Sequence, residues 1–463
     1  MVKQMKRPTN KIDGREARRR FPLRAAGVLI PRNPLALVNI FSSLKNRNFA
    51  IYFAGMSVTL IGAWIQQVAM GWLVFNLTNS VFLLSVSVFL SQIPSLVFTP
   101  FAGVICDRFN RRSILMVTQS LMMLQSAVLG ILTVEGLINM PIIFALCFFV
   151  GTVVSFDAPA RQSFYAKLVP PKDLSNAIAL NSTAMNGSRF IGPAIGGVMI
   201  SFFGEGVCFL VNAASYGAIL LSLYMIKLKP ETAAKHSSAI KDIMEGYSYI
   251  YSFKPIRALI MLLMVFSFFA MPFSLLLPAF TKGTLGGGSA ALGNMMSCVG
   301  CGALGAALYL AARKSVLGMG RVIVLSCALA GIGLVLMSMV DSLRIAYILA
   351  VPVGFGMIAV AAGCNTMLQS LVDEEKRGRV MSVFTMSFFG FPPLGSLAQG
   401  YVSHYVGLSA VTAVSGAVCI LAAIAFELYR PVIRMQAREI YAQKGLIIPE
   451  IARGLQSSIV PKD

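Results

Sequence analysis

Residues 186–197 read Asn-Gly-Ser-Arg-Phe-Ile-Gly-Pro-Ala-Ile-Gly-Gly, which sets one arginine, one proline and four glycines inside an apolar segment. A soluble helix tolerates this combination poorly, because glycine and proline both weaken helices in water. A membrane helix tolerates it, since Gly192 and Gly196 lie one turn apart and let a neighbouring helix approach closely. Arg189 lies about one turn earlier, and a cation at that depth predicts a functional role.

The composition is that of a polytopic membrane protein. Hydrophobic residues make up 57% of the 463 residues and charged residues 12%, against roughly 45–50% and 25% in soluble domains. Mean hydropathy is +0.76. At about 20 residues a span plus short connections, this length predicts about twelve transmembrane helices. The apolar runs place them at 49–76, 82–105, 113–133, 139–158, 176–202, 207–226, 257–280, 291–312, 321–340, 345–371, 380–402 and 409–428.

The distribution of the net charge of +21 indicates a membrane orientation. Residues 1–48 hold twelve Lys or Arg residues, and every second connection after them is basic, whereas the alternate connections carry only Lys282 and Arg344. The positive-inside rule therefore predicts an inner-membrane protein with both termini in the cytoplasm. Because a basic face toward anionic lipids accounts for the charge, we expect no nucleic-acid partner.

A long polar connection divides the chain into two sets of six spans. The predicted regions are a basic cytoplasmic N-terminal arm at 1–48, a six-helix bundle at 49–226, a cytoplasmic linker at 227–256, a second six-helix bundle at 257–428 and a cytoplasmic tail at 429–463. An organellar transit peptide is the alternative interpretation of the basic arm.

Four glycines recur at a constant offset of 203 residues between the two bundles. Such an offset indicates a duplicated unit. The predicted fold is therefore an all-α polytopic membrane protein with twelve transmembrane helices in two pseudo-symmetric six-helix bundles. The pairs are Gly187 and Gly390, Gly192 and Gly395, Gly197 and Gly400, and Gly204 and Gly407.

The loop after the second predicted span, at 103–112, reads Gly-Val-Ile-Cys-Asp-Arg-Phe-Asn-Arg-Arg. It resembles the loop pattern of the major facilitator superfamily, which is Gly, three residues, Asp-Arg, one residue, then Gly-Arg-Arg. Asn110 replaces the last glycine, and asparagine tolerates a left-handed turn. An ordinary charged loop is the alternative. The resemblance implies the superfamily's fold, a midplane site between the halves and a cytoplasmic gate formed by Gly103, Asp107, Arg108, Arg111 and Arg112.

The glycine stretch is similar to the motif that exporters of this superfamily carry in their fifth helix. Together with Asp157 to Gln162 and residues 168–177, it resembles the drug-exporter branch that includes the enterobactin exporter and macrolide efflux proteins. The resemblance is loose in the second half, where it rests mainly on residues 376–381. Helix packing alone is the alternative explanation of the motif residues, which are Gly192, Pro193, Gly196 and Gly197.

The energy source is inferred by elimination. The sequence has no Gly-rich Lys-Ser/Thr phosphate-binding loop, which favours secondary transport over an ATPase. Proton coupling needs a titratable group inside the membrane, and Asp157 is the better candidate than Glu427. A structural pair between Asp157 and Arg161, four residues apart, is the alternative. The predicted coupling residues are Asp157, Arg161 and Arg189.

Polar residues inside apolar spans are candidates for a substrate cavity, although each one singly is more often an interhelical hydrogen bond than a ligand contact. Arg189 differs, because an unpaired cation would attract an anionic substrate or hold Asp157. The cavity candidates are Gln66, Gln67, Asn181, Asn186, Asn212, Asn365 and Gln369.

The sequence thus predicts a monomeric inner-membrane antiporter that exports a small amphipathic organic molecule, a siderophore or a drug-like compound, by alternating access. An importer or a lysolipid flippase of the same fold is the alternative within transport. A sensor or an enzyme scaffold is the alternative of another class, but no catalytic constellation accompanies the two histidines, so we expect no enzyme. We also expect no cofactor and no metal, because the cysteine pair Cys298-x-x-Cys301 has no nearby His or second Cys pair.

Overall fold

The computed structural model describes residues 38–226, 253–313 and 315–443. A short 3-10 helix, Val38–Lys45, precedes the first span. The helices are α1 (Arg47–Thr78), α2 (Val81–Arg108), α3 (Arg111–Val134), α4 (Met140–Leu168), α5 (Leu174–Met225), α6 (Lys254–Phe269), α7 (Pro272–Ala279), α8 (Ser289–Ala312), α9 (Met319–Met337), α10 (Leu343–Leu371), α11 (Glu374–Val406) and α12 (Leu408–Gln443).

Eleven of the described helical segments are long and apolar enough to cross a membrane. The longest, α5, contains two spans, because Gly204 has φ +77 and breaks the helix within it. Helices α6 and α7 and a π-helical turn, Phe280–Thr284, together form one segment. With α5 counted as two spans, the described segments match the twelve predicted spans in number.

The break in the seventh span was not predicted, since its apolar run is continuous. Pro272 has no N–H, so the carbonyl of Phe268 loses its helical donor. The side chain of Gln399 on α11 replaces that donor, with its Nε2 donating to the carbonyls of Phe268 and Phe269 at 2.9 and 3.1 Å. The break thus costs little, because a neighbouring helix satisfies the exposed backbone.

The last helix continues well past the predicted end of its span at residue 428. Ile433, Ala437 and Tyr441 are buried at successive positions of one helical face, and the hydroxyls of Tyr441 and Ser370 lie 3.1 Å apart. The apolar face therefore continues beyond the hydrophobic run, where a hydropathy pattern no longer marks a span.

Corresponding helices pack alike in the two halves. In the first half α1 packs on α5, α2 on α4, and α3 on α4 and α5; in the second half α6 packs on α11, α8 on α10, and α9 on α10 and α12. Between the halves, α5 packs on α8 and α2 on α11.

The paired glycines occupy matching environments. A Cβ on Gly192 would lie 2.5 Å from Trp64 of α1, and one on Gly395 would lie 2.1 Å from the Phe268 carbonyl of α6. Gly197 and Gly400 instead face the other half, at α8 and α2. Each half thus uses one glycine for its own bundle and another for the contact between bundles.

The described contacts between the halves run from the middle of the bundle toward one end, which carries Asn76, Gly197, Lys282 and Tyr401; we call it the closed end. There Lys282 hydrogen-bonds Asn76, and the rings of Phe82 and Tyr401 lie 5.9 Å apart. Nearer the opposite end of α5, a Cβ on Gly187 would meet nothing within 4 Å.

The apolar core shows the same division. One buried cluster extends from Ile65 and Phe75 of the first half through the closed end into the whole second half. A second cluster, around Tyr52, Phe164 and Leu223, belongs to the first half alone and lies toward the opposite end. The halves therefore share a core at the closed end.

The contact between α5 and α8 provides a test of this packing. A Cβ on Gly197 would lie 2.6 Å from the Ser289 carbonyl and 2.8 Å from the Gly293 Cα. We expect Gly197→Ala to weaken the contact by about 1–3 kcal/mol, because backbone must move to admit the methyl group. Amide hydrogen exchange at 289–300 should then accelerate, roughly 5- to 150-fold.

Gly187→Ala is the matched control on the same helix, where the added methyl meets open space. Exchange at 289–300 should not change in that variant. Equal exchange rates in the two variants would contradict the close packing of α5 on α8.

Candidate functional site

A cavity of about 620 Å³ lies between the two halves, next to the closed end and toward the middle of the bundle. Its wall is formed by α1 to α5 from the first half and by residues of α7, α8, α10 and α11 from the second. Arg189 is the only charged side chain among the described residues that line it. Gln66 and Gln67 also line it, so the structure brings three of the predicted residues to the cavity.

Arg189 is held by its helix and by an aromatic ring. Its guanidinium carbon lies 5.4 Å from the centre of the Trp64 ring, a cation–π arrangement. Pro193 removes the helical donor of the Arg189 carbonyl, and Gly300 of α8 leaves room for that oxygen, since a Cβ there would lie 2.9 Å from it. The cation is thus fixed where the two halves meet.

Asp157 does not pair with Arg189. Its carboxylate is fully buried and lies 2.8 Å from the Arg161 guanidinium, one turn along α4. Thr118 Oγ1 and Gln119 Nε2 of α3 donate to Asp157 Oδ1 at 2.9 and 2.7 Å. One cation and two hydrogen-bond donors thus surround the Asp157 carboxylate.

The pair continues as a polar row along α4 and α5. Tyr165, one turn beyond Arg161, donates its hydroxyl to Asn181 Oδ1 at 2.5 Å. The Tyr165 ring also packs edge-on against Tyr52, at 5.2 Å between centroids. Asn181 therefore lies with the ion pair and outside the described cavity wall.

A second polar cluster joins α1, α3 and α5. Gln66 Oε1 accepts hydrogen bonds from Ser126 Oγ and Asn212 Nδ2, each at 2.7 Å, and Gln66 Nε2 donates to Gln125 Oε1 at 3.3 Å. Asn212 is buried. Of the two predicted residues here, Gln66 reaches the cavity and Asn212 fixes the helices behind it.

The other cavity candidates form local hydrogen bonds. Asn186 Nδ2 donates to the Ser182 carbonyl at 2.8 Å within α5, and Gln369 Nε2 donates to Asn365 Oδ1 at 2.8 Å within α10. The structure does not bring these residues to the described cavity wall.

The predicted gate lies at the turn between α2 and α3. Asn110 caps α3, with its side chain accepting from the Arg112 N–H at 2.9 Å. Arg112 Nη2 donates to the Tyr224 carbonyl in the last turn of α5 at 3.0 Å. The helix dipole also stabilises a cation at this C-terminal end. Arg111 begins α3. The side chains of Gly103, Asp107 and Arg108 lie outside the described residues.

The exporter glycine motif has two faces. Gly192 and Gly196 face α1, where Cβ atoms would lie 2.5 and 3.2 Å from Trp64 and Ile65. Gly197 faces α8 of the other half, as does the Pro193 carbonyl, which lies 2.5 Å from a Cβ built on Gly293. The motif therefore joins the bundle of the first half to the contact between the halves.

Two glutamines of the cavity wall, Gln92 and Gln125, were missed by the sequence interpretation. Both are polar residues in apolar spans, so the signal that selected Gln66 could have found them. Thr118 and Gln119 carried the same signal, but their pairing with Asp157 depends on how α3 packs on α4.

Comparison with known proteins gives consistent similarities. A family model described as "Transmembrane secretion effector" matches residues 38–459. A staphyloferrin A transporter of Staphylococcus aureus is 25% identical over 393 residues, covering 84% of this chain and 98% of that protein. The multidrug efflux pump Tap of Mycolicibacterium fortuitum is 24% identical over 371 residues, covering 78% and 90%.

The fold is also similar to that of solved transporters. A bacterial homologue of the iron transporter ferroportin, in its inward-facing state, has a TM-score of 0.65 at 16% identity, covering 83% of this chain and 98% of that chain.

The ion pair can be tested by a double-mutant cycle. Asp157→Ala leaves Arg161 without its counter-ion, and we expect a loss of about 3 kcal/mol in the free energy of unfolding. Arg161→Ala leaves a fully buried carboxylate with two neutral donors and should cost a similar amount. The double variant should lose less than the sum of the two losses, by about 1 kcal/mol or more.

Unfolding by a denaturing detergent, followed by circular dichroism, measures each variant. Strict additivity of the two substitutions would contradict a structural pair between these side chains.

Proposed function

Because the chain belongs to the transmembrane secretion effector family of the major facilitator superfamily, we propose that this transporter exports a small amphipathic organic molecule, a siderophore or a drug-like compound. The observation that carries the proposal is the cavity between two halves that, among the described residues, share a buried apolar core at one end. A secondary transporter needs such a site, which opens alternately to the two sides of the membrane.

The charge pattern supports an orientation for this state. The basic connections predict that the turn between α2 and α3 and the start of α5 lie in the cytoplasm. The closed end then lies on the outer side, and the cavity opens inward. A cytoplasmic substrate would enter this state directly, as export requires.

We assign the two six-span bundles, with the linker between them, as the moving units. The recurrence of helix pairs and of paired glycines in both halves supports this assignment. Outward opening would then separate α5 from α8 and α2 from α11 at the closed end. Arg112 binds the end of α5, which belongs to the same half. This contact supports a role for the α2–α3 turn in fixing the cytoplasmic end of the first half.

Proton coupling is assigned to the cluster around Asp157. Val150 and Val154 line the cavity, and Asp157 and Arg161 follow on the same face of α4 at helical spacing. Protonation of Asp157 would cancel its attraction for Arg161 and free the guanidinium. Among the described residues, Asp157 is the only fully buried carboxylate, which supports it over Glu427, itself paired with Arg430.

The relatives guide the choice of substrate class. The Staphylococcus aureus relative is a staphyloferrin A transporter, and the Mycolicibacterium fortuitum relative is a multidrug efflux pump. Both names describe transport of organic molecules, which supports a siderophore or a drug-like compound here.

Vesicle transport tests the direction. Inside-out membrane vesicles with an acidic lumen should accumulate iron-free staphyloferrin A, or one of a panel of amphipathic dyes, because lumenal protons leave as substrate enters. Nigericin, which collapses the pH gradient, should abolish accumulation, and vesicles without the protein serve as the control. Accumulation in energised right-side-out vesicles alone would instead indicate import.

Substitution tests the gate and coupling residues. Asp107→Ala and Arg189→Ala should each abolish transport in these vesicles at unchanged expression, because one lies in the proposed gate and the other in the cavity. Asp157→Asn should abolish proton-driven accumulation but leave downhill exchange of substrate, because the asparagine amide cannot bind and release a proton. Full activity of Asp107→Ala and Arg189→Ala would refute their roles, and proton-driven accumulation by Asp157→Asn would refute its coupling role.

A further inference from the structure

The polar groups of the cavity are distributed unequally between the halves. The first half supplies the cation and all four glutamines of the described wall. The second half supplies apolar residues, with Ser274 as its polar side chain among the described residues. They include Met271, Met296, Met357, Phe388 and Phe389, which we call the methionine and phenylalanine face.

The 203-residue offset between the halves shows that the charge at position 189 is not repeated in the second half. Arg189 corresponds to Pro392 at 203 residues, and both residues line the cavity. The cation therefore has no counterpart across the site. Packing glycines are present in both halves, so the charge is a feature that packing alone does not require.

Arg189 also lacks an anionic partner in the described part of the chain. No described carboxylate lies within 4 Å of its guanidinium, and Asp157 is already bound to Arg161, Thr118 and Gln119. Contact with the Trp64 ring supplies no hydrogen-bond acceptor for the guanidinium donors. A partly buried cation without a counter-ion is costly, and an anionic ligand in the cavity would offset that cost.

We propose that the transported molecule is an amphipathic anion whose carboxylate binds Arg189 and whose apolar body lies against the methionine and phenylalanine face of the second half. This inference rests on the proposed function. Guanidinium binds carboxylate through paired N–H donors, the nearby glutamines fit neutral polar substituents, and methionine adapts to varied apolar shapes.

The orientation also links binding to the movement of the halves. The Arg189 backbone packs on Gly300, and Ser297 Oγ of α8 donates to the Phe190 carbonyl at 2.8 Å. An anion on Arg189 with its body on α8 and α11 therefore contacts both moving units. A ligand that contacts both halves can favour one state over the other, which transport requires.

Three dansyl compounds with one fluorophore and different head groups test the inference. Dansylglycine is anionic, dansylamide is neutral and monodansyl-ethylenediamine is cationic. We would measure binding to the purified protein in phosphatidylcholine nanodiscs by the fluorescence change, with empty nanodiscs subtracted. Dansylglycine should bind about tenfold or more tightly than dansylamide, since a charged hydrogen bond is lost in the neutral compound.

Arg189→Gln should remove that preference, with dansylglycine binding weakened about tenfold or more and dansylamide unchanged within twofold. Arg189→Lys should retain much of the preference, because the positive charge remains. Arg313→Gln is the matched control, since it removes one positive charge at the C-cap of α8, outside the described cavity wall. It should bind all three compounds as the parent protein does.

Equal binding of the three compounds, or an equal loss for all three in Arg189→Gln, would overturn the inference. Failure of dansylglycine to bind at millimolar concentration would do so as well. The vesicle assay keeps the two proposals distinct: dansylglycine that binds through Arg189 but is carried inward by right-side-out vesicles contradicts export and leaves the substrate class intact.

Discussion

The structure depends on one close approach of two backbones, that of α5 and α8 at Gly197 and Gly293. A Cβ on either glycine would lie within 3 Å of backbone atoms of the other helix. In a membrane the hydrophobic effect gives helices little reason to associate, so such van der Waals contact supplies much of the attraction. Van der Waals attraction acts only at short range, so separating the two helices by the width of a methyl group weakens it. The contact is therefore suited to a reversible closure of the cavity at the closed end.

Charge is divided between two places in the first half. Asp157 and Arg161 neutralise each other inside the bundle, with donors from α3 completing the site. Arg189 lies on the cavity wall, where Trp64 contacts it without neutralising it. We propose that the first charge set responds to protons and the second to substrate, while the apolar second half provides a surface for the body of the molecule.

Much of the fold follows from hydropathy, and all twelve spans were predicted. Helix ends were less predictable, because α12 continues on the packing of Ile433, Ala437 and Tyr441 beyond its apolar run. The break before Pro272 depends on Gln399, more than 120 residues away, whose hydrogen bond no local pattern reveals. The partners of Asp157 and the inward position of Asn212 likewise depend on which faces of α3 and α5 meet. Arg189 was found from sequence alone, since a deep cation is conspicuous in an apolar span.

Under the proposed alternating access, transport requires the closed end to open, and a reversible cross-link across that end tests this requirement. Asn76 and Lys282 contact each other across that end, so Asn76→Cys and Lys282→Cys in one protein can be joined by a bifunctional methanethiosulfonate. We expect cross-linking to stop transport and reduction to restore it, whereas either single variant treated alike should keep its activity. Undiminished transport by fully cross-linked protein would show that the closed end need not open.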